Sequence, residues 1–236
     1  MGIISPFEQT NYMTTRLALF DLDNTLLCGD SDHAWGEYLI DRGLVSAIEH
    51  GKRNDEFYRQ YQDRTLDIHE YVRFTLTPVM HLSQLELASM HREFTQKFIR
   101  PLILPKAVAL VNQHLAAGDY CIIITATNSF ITTPIAQMFG VDKLIATDLV
   151  IQSDRFTGEI LGTPCFQSGK VNKIDQWLGS EIAISAELDL KESIFYSDSI
   201  NDLPLLQRVK EAVVVDGDEM LIDEANRRNW SCVSLR

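Results

Sequence analysis

Leu17-Ala18-Leu19-Phe20-Asp21-Leu22-Asp23-Asn24-Thr25 decides how this chain is to be read. Four apolar residues run straight into an aspartate with no polar alternation, the pattern of a strand buried on both faces of a parallel sheet. Working outward, the same sequence of an apolar run followed by polar residues returns at Tyr120-Cys121-Ile122-Ile123-Ile124 before Thr125, and at Ser193-Ile194-Phe195-Tyr196 before Asp198. Ala212-Val213-Val214-Val215 is one more such strand. Helical segments alternate with these runs. Pro105 opens one that Gly118 closes, and others are expected at about 129–139, 169–177 and 219–228 and from Asn201 onward. A hairpin is expected around Asp154-Arg155-Phe156-Thr157-Gly158. Alternation of this kind predicts an α/β fold, a parallel sheet covered by helices on both faces.

Residues 29–100 break the alternation. Trp35, Leu39 and Ile40 share a helical face, Ser83 and Glu86 form a capping box, and Leu87, Met90, His91, Phe94 and Phe98 make a stripe. The expected organisation is an N-terminal extension over 1–15, a core over 16–28 and 101–236, and a small inserted helical domain over 29–100. Trp35, Phe57, Tyr58 and Tyr61 are expected in the core of that insert. The first residues lack a basic stretch followed by an apolar one, so no secretory signal is expected, and Met13 serves equally well as a start.

Composition bounds the function. The 236 residues are 45% hydrophobic and 23% charged, ordinary for a soluble globular protein. Against 21 basic side chains stand 33 acidic ones, a formal charge of −12 that repels nucleic-acid backbones and anionic lipid. Neither a nucleic-acid nor a membrane partner is expected, and no apolar run approaches the roughly 20 residues that span a bilayer. An anionic substrate would therefore need a local positive site. Cys28, Cys121, Cys165 and Cys232 are far apart and form no CxxC, so reduced thiols and a cytoplasmic location are expected, as a monomer or homodimer. The histidines show no ligand-like spacing and are read as structural or surface residues.

In an open parallel sheet, ligands bind at the carboxyl ends of the strands. Here those ends deliver Asp21 and Asp23, then Thr125 with Ala126, then Asp198 and Asp202, while Lys170 stands at a helix start. Asp21, Asp23, Asp198 and Asp202 are candidate ligands for Mg2+, since carboxylate oxygens suit that hard ion better than a thiol-seeking metal. Asp202 either ligates or orients the others. Clustered carboxylates raise one another's pKa values unless a cation neutralises them. A phosphoryl group held by the ion, Lys170, Thr125 and the backbone near Ala126 is then open to attack by Asp21. Asp23 lies close enough to protonate the leaving alkoxide and afterwards to activate water. Gly169 beside Lys170 favours this lysine over Lys173.

These residues resemble, in order, the four motifs of the haloacid dehalogenase superfamily. Asp21-Leu22-Asp23-Asn24-Thr25 is similar to its DxDxT nucleophile motif, the Thr125 segment to its second, Lys170 to its third, and Asp198-Ser199-Ile200-Asn201-Asp202 to its acidic fourth. The likeness covers nearly everything after Arg16, and a helical insert after the first motif matches the phosphoserine-phosphatase-like branch. That branch implies a Rossmann-like core, a mobile helical cap and magnesium-dependent hydrolysis of a small phosphorylated metabolite through an aspartyl-phosphate. Thr125-Ala126-Thr127 stands where phosphoserine phosphatases have Ser-Gly-Gly, and Ser197 replaces a common glycine; both departures bear on the substrate. Asp30 resembles in position a glutamate with which those enzymes read an amine, so Asp30 and Asp32 either bind a cationic group of the substrate or are solvated loop residues. Histidinol phosphate, which some members hydrolyse, and phosphoserine are the resulting substrate expectations. A phosphomutase or phosphotransferase of the same superfamily is the alternative reaction. A catalytically silent binding protein is disfavoured by the intact Asp21 and Asp23.

Overall fold

A computed structural model describes residues 15–141 and 143–236. All but the last residue of the expected N-terminal extension, and the alternative start at Met13, lie outside the described residues.

The described residues build a six-stranded sheet in the order β3-β2-β1-β6-β7-β8, with every neighbouring pair parallel. Its strands are β1 (Leu17–Phe20), β2 (Tyr120–Asn128), β3 (Lys143–Thr147), β6 (Ser193–Ser197), β7 (Glu211–Val215) and β8 (Ser231–Val233). A separate antiparallel hairpin joins β4 (Leu149–Gln152) to β5 (Arg155–Ile160). β1 is central and completely buried, and its side chains divide by parity. Ala18 and Phe20 enter one apolar cluster, Leu17 and Leu19 the other. That division is why an unbroken apolar run, not an alternating one, marks the strand.

Helices cover both faces: α5 (Pro105–Ala117), α6 (Ser129–Met138), α7 (Ser168–Leu178), α8 (Glu181–Ser185), α9 (Leu203–Leu206) and α10 (Glu219–Arg228). Gly118 closes α5 in the left-handed conformation at φ 82°, as its glycine implied. Between β1 and α5 lie α1 (Ser31–Asp41), α2 (Ala47–Gln62), α3 (Ile68–Leu76) and α4 (Gln84–Phe94), with a π-helical turn at Thr95–Ile99. The expected capping box at Ser83 and Glu86 is present. The chain leaves and returns to the sheet through one narrow neck, where Leu27 and Ile103 form a bridge and the Cys28 amide donates to the Leu102 carbonyl at 2.7 Å. One apolar cluster runs from the sheet face through Trp35, Tyr38 and Phe94 into these helices.

Four elements differ from the sequence expectation. Strands β3 and β8, the two edges of the sheet, were not foreseen, being five residues and three exposed residues long. Strand β2 continues four residues beyond Ile124, and its pairing with β3 shifts register between Ile124 and Asn128. After Asp198 the chain makes a 3-10 turn at Ile200–Asp202 before the short α9. No helix among the described residues is long and apolar enough to cross a membrane.

Candidate active site

Asp21 is the first residue after β1, and its amide donates to the Tyr196 carbonyl of β6 at 2.9 Å, so strand pairing fixes its backbone. Its carboxylate is 6% exposed and accepts from Lys170 Nζ at 2.6 Å through Oδ1. Lys170, itself 2% exposed, also donates to Asp202 Oδ2 at 2.7 Å, and Asp202 Oδ2 accepts from the Ser197 hydroxyl at 2.7 Å. Lys173, the sequence competitor of Lys170, instead pairs with Asp148 and the Ala146 carbonyl away from the aspartates. Gly169 explains the placement of Lys170: a Cβ there would stand 2.0 Å from the Pro164 carbonyl oxygen, so the tight turn into α7 admits only hydrogen.

Thr25 ties the first motif to the fourth. Its hydroxyl donates to Asp198 Oδ1 at 2.9 Å, accepts from the Asp198 amide at 3.0 Å, and lies 3.4 Å from Asp21 Oδ2. Asp23 is held separately. Its Oδ1 accepts from the Ser31 amide at the start of α1 at 2.7 Å, and its Oδ2 accepts from the Thr127 hydroxyl at 2.8 Å, with the Thr125 hydroxyl at 3.4 Å. Thr147 at the end of β3 donates to the Ala126 carbonyl at 2.7 Å and steadies the Thr125 loop from behind. Thr147 was not named from sequence, and Thr25, Thr127 and Ser197 were named only as parts of motifs, with no role given to their hydroxyls. A hydroxyl at a strand end, as at Thr127, Thr147 and Ser197, is an ordinary feature and a weak signal.

Asp21, Asp23, Asp30, Asp32, Thr125 and Ala126 line one cavity of about 40 Å³, roofed by Phe57, Tyr58, Tyr61, Leu66, Ile68 and Tyr71 from the inserted helices. Tyr58 and Tyr61, expected in the insert's core, thus face the site, while Phe57 borders the cavity and is also buried as expected. Tyr71 was missed altogether. Asp30 caps α1, accepting from the His33 amide at 2.8 Å, and Asp32 is buried and accepts from Asn128 Nδ2 at 3.3 Å. Asp198 and Asp202 approach from the other side of Asp21, and Asp198 lines a neighbouring pocket with Tyr58, Tyr61 and Asn24.

The electrostatics follow from burial. Burial pushes the Asp21 carboxyl up to about 7, with the charges of Asp202 and Asp23 adding to the rise and Lys170 opposing it. Asp23 is pushed up to about 6, again by burial first and then by Asp30, while its hydrogen bonds pull the other way. Asp198 rises well above the carboxylate range through burial and the neighbouring charge of Asp21. Asp30 is raised by burial, and Asp32 is raised well by burial and by the charges of Asp30 and Asp23. Burial likewise lifts Tyr61 and Tyr71 well above the usual phenol range, keeping both hydroxyls protonated donors.

Among the described residues, no three His, Cys, Asp or Glu side chains stand close enough to form a complete cage for a metal ion. A magnesium ion does not require one, because it commonly keeps several waters and takes one or two carboxylates together with substrate phosphate oxygens. Asp21 and Asp198, bridged by one threonine hydroxyl and both raised by burial, with the charge of Asp21 adding to the rise of Asp198, are an oxygen-only pair. That donor chemistry fits a hard divalent cation. Both Asp23 oxygens are already engaged, by Ser31 and Thr127, and Asp202 Oδ2 is engaged by Lys170 and Ser197.

Fold and site together describe an α/β protein that gathers aspartates at the carboxyl edge of a parallel sheet. The chain belongs to the haloacid dehalogenase-like hydrolase family, whose model matches residues 18–207. It is 44% identical over 221 residues to a histidinol-phosphatase of Neisseria meningitidis serogroup C, an alignment that covers 93% of this chain and 99% of that one. Among solved structures, a Bordetella pertussis Tohama I protein of unknown function superposes with a TM-score of 0.85 at 43% identity, covering 94% of this chain and 100% of the other. A substrate-bound phosphoserine phosphatase shares the fold, with a TM-score of 0.65 at 14% identity and coverage of 93% and 92%.

Proposed function

We propose that this protein hydrolyses a small, amine-bearing phosphate monoester through an aspartyl-phosphate on Asp21, with Mg2+ as cofactor and residues 29–100 as the cap over the site. The enzyme is a phosphoric monoester hydrolase of its family. One observation carries the mechanism: two aspartates two residues apart line one cavity in different environments, Asp21 against the Lys170 ammonium and Asp23 in hydrogen bonds from neutral donors alone. A cation bound beside Asp21 would keep it ionised and nucleophilic, while Asp23, with no cationic partner, is able to hold a proton.

In the proposed reaction an Asp21 oxygen attacks phosphorus and the bond to the leaving alkoxide breaks. Asp23 gives its proton to that alkoxide. The Asp23 carboxylate then takes a proton from the water that attacks the acyl phosphate, which frees Asp21 and inorganic phosphate. Lys170, the Thr125 hydroxyl and the backbone at Ala126 bind the phosphoryl oxygens, and Asp202 holds Lys170 in place. Asp21 and Asp198 would hold the magnesium ion, which when bound neutralises their charge and polarises the phosphoryl group.

Substrate choice rests on the rest of the cavity. Asp30 and Asp32 beside the rings of Tyr58, Tyr61 and Tyr71 make an anionic, aromatic wall suited to an organic cation, by charge and by ring stacking. The similarity to a histidinol-phosphatase supports histidinol phosphate as first choice, with phosphoserine second. Tyr58, Tyr61 and Tyr71 of the cap close over the aspartates on one side of this cavity.

Hydrolysis of p-nitrophenyl phosphate with magnesium, its loss in excess EDTA, and its loss in Asp21→Asn test the reaction. A panel including histidinol phosphate and phosphoserine tests the substrate. Equal product release by wild type and Asp21→Asn would rule out the covalent step.

A further inference from the structure

The segment after β8 folds back to the site loop. Its Leu235 is buried in the larger apolar cluster, and the Leu235 amide donates to Asp216 Oδ2 at 3.0 Å. The Arg236 carbonyl accepts from Lys106 Nζ at 2.6 Å, and its amide donates to the Ser234 hydroxyl at 3.3 Å. The guanidinium, thus anchored through its backbone, reaches Asp216 at 3.5 Å and donates through Nη2 to the Asn24 carbonyl at 3.2 Å. Its side chain is 39% exposed, so it spans from solvent to the edge of the site.

Asn24 sits between Asp23 and Thr25, lines the cavity, and holds φ at 58°, a left-handed turn conformation that asparagine adopts more readily than other non-glycine residues. Its own amide is tied to the Gly29 carbonyl at 2.9 Å. The carbonyl that Arg236 grips belongs to the same planar peptide unit as the Thr25 amide, so fixing one fixes the other. Thr25 in turn bridges Asp198 and Asp21. Asp23 lies on the other side of Asn24, so rotation of the 24–25 peptide disturbs acid, nucleophile and bridge together.

We infer that Arg236 is a positioning residue: its hydrogen bond to the Asn24 carbonyl holds the turn that sets Asp23 and Thr25 against Asp21. This rests on the proposed roles of Asp21 and Asp23. The guanidinium does not reach into the cavity, so its loss acts on the chemical step and spares substrate binding.

The test is steady-state hydrolysis of p-nitrophenyl phosphate with saturating magnesium by wild type, Arg236→Met, Arg236→Lys and Asp21→Asn, each with its Tm. Arg236→Met is expected to lower kcat about tenfold with KM within about twofold of wild type, because small errors in the placement of reacting groups slow chemistry strongly. Arg236→Lys, which keeps a donor and the charge, is expected to recover part of the loss. The Tm values are expected to stay close to wild type, since the backbone contacts of residue 236 are untouched. An unchanged kcat in Arg236→Met would overturn the inference, as would a fall confined to KM or a loss that tracks Tm across the two variants. Wild-type turnover that survives in Asp21→Asn would instead overturn the proposed reaction, a result distinct from either.

Discussion

Lys170 is the residue on which the site's charge balance turns. It lies buried between Asp21 and Asp202, and removing one member of such a group leaves uncompensated charge. Lys170→Met is expected to abolish turnover and to destabilise the protein by about 3–5 kcal/mol at neutral pH, read by denaturant unfolding. The deficit is expected to shrink on acidification as Asp21 protonates. Thr127→Val removes the 2.8 Å hydrogen bond to Asp23 while keeping the shape of the side chain. That bond holds the Asp23 carboxyl down, so its loss raises the carboxyl further above about 6. The expected result is a kcat lowered about tenfold, with the basic shift visible in the ascending limb of the pH–rate profile. At this scale the sequence disclosed charged groups and hid hydroxyls. Asp21, Asp23 and Asp198 stand out because an acid just past an apolar strand has few structural uses, and Lys170 because Gly169 precedes it at a helix start. The roles of the Thr25 and Thr127 hydroxyls do not, because a threonine in a turn or at a strand end is structurally ordinary.

At the level of elements, the turn into α7 is the most constrained approach to the site. Gly169→Ala would drive a methyl group into the Pro164 carbonyl, which as backbone cannot step aside cheaply. A destabilisation of about 1–3 kcal/mol is expected from such overpacking, together with loss of activity beyond what the fall in stability explains, because Lys170 is the next residue. Normal activity in a folded Gly169→Ala would show that the turn can relax without moving Lys170. The central strands and most helices were readable from apolar runs, Pro105, Gly118 and the Ser83–Glu86 box. Strand β8 was not: its three residues are exposed, and nothing in Ser231-Cys232-Val233 separates an edge strand from a loop. Tyr58 and Tyr61 differ from expectation for a related reason: large aromatic side chains are expected to be covered, and that expectation does not say whether protein or ligand covers them.

For the whole molecule, the cluster of buried acids makes stability depend on pH. Asp21 and Asp23 rise from 3.8 to about 7 and about 6 in the folded protein. A carboxyl raised on folding keeps its proton where the unfolded chain has lost it. Its contribution to stability is therefore complete below the unfolded value of 3.8 and is lost as pH climbs through about 6 and about 7. Metal-free protein is expected to melt progressively lower across that window. Magnesium, bound by the ionised carboxylates, is expected to raise Tm more at pH 8 than at pH 5, with thermal melts in magnesium and in EDTA as the measurement. A magnesium effect independent of pH would place the ion elsewhere. The acidic net charge of −12 fits the same picture, with local cations set against a negative surface: Lys170 within the site and Arg236 at its edge.

Acid-quenched single turnover with phosphate-labelled p-nitrophenyl phosphate, followed by peptide mapping, tests the covalent step on Asp21 most directly. Label is expected on the peptide containing Asp21 in the wild-type enzyme with magnesium and absent from Asp21→Asn. Full turnover with no label on that peptide, or with label on another side chain, would contradict it.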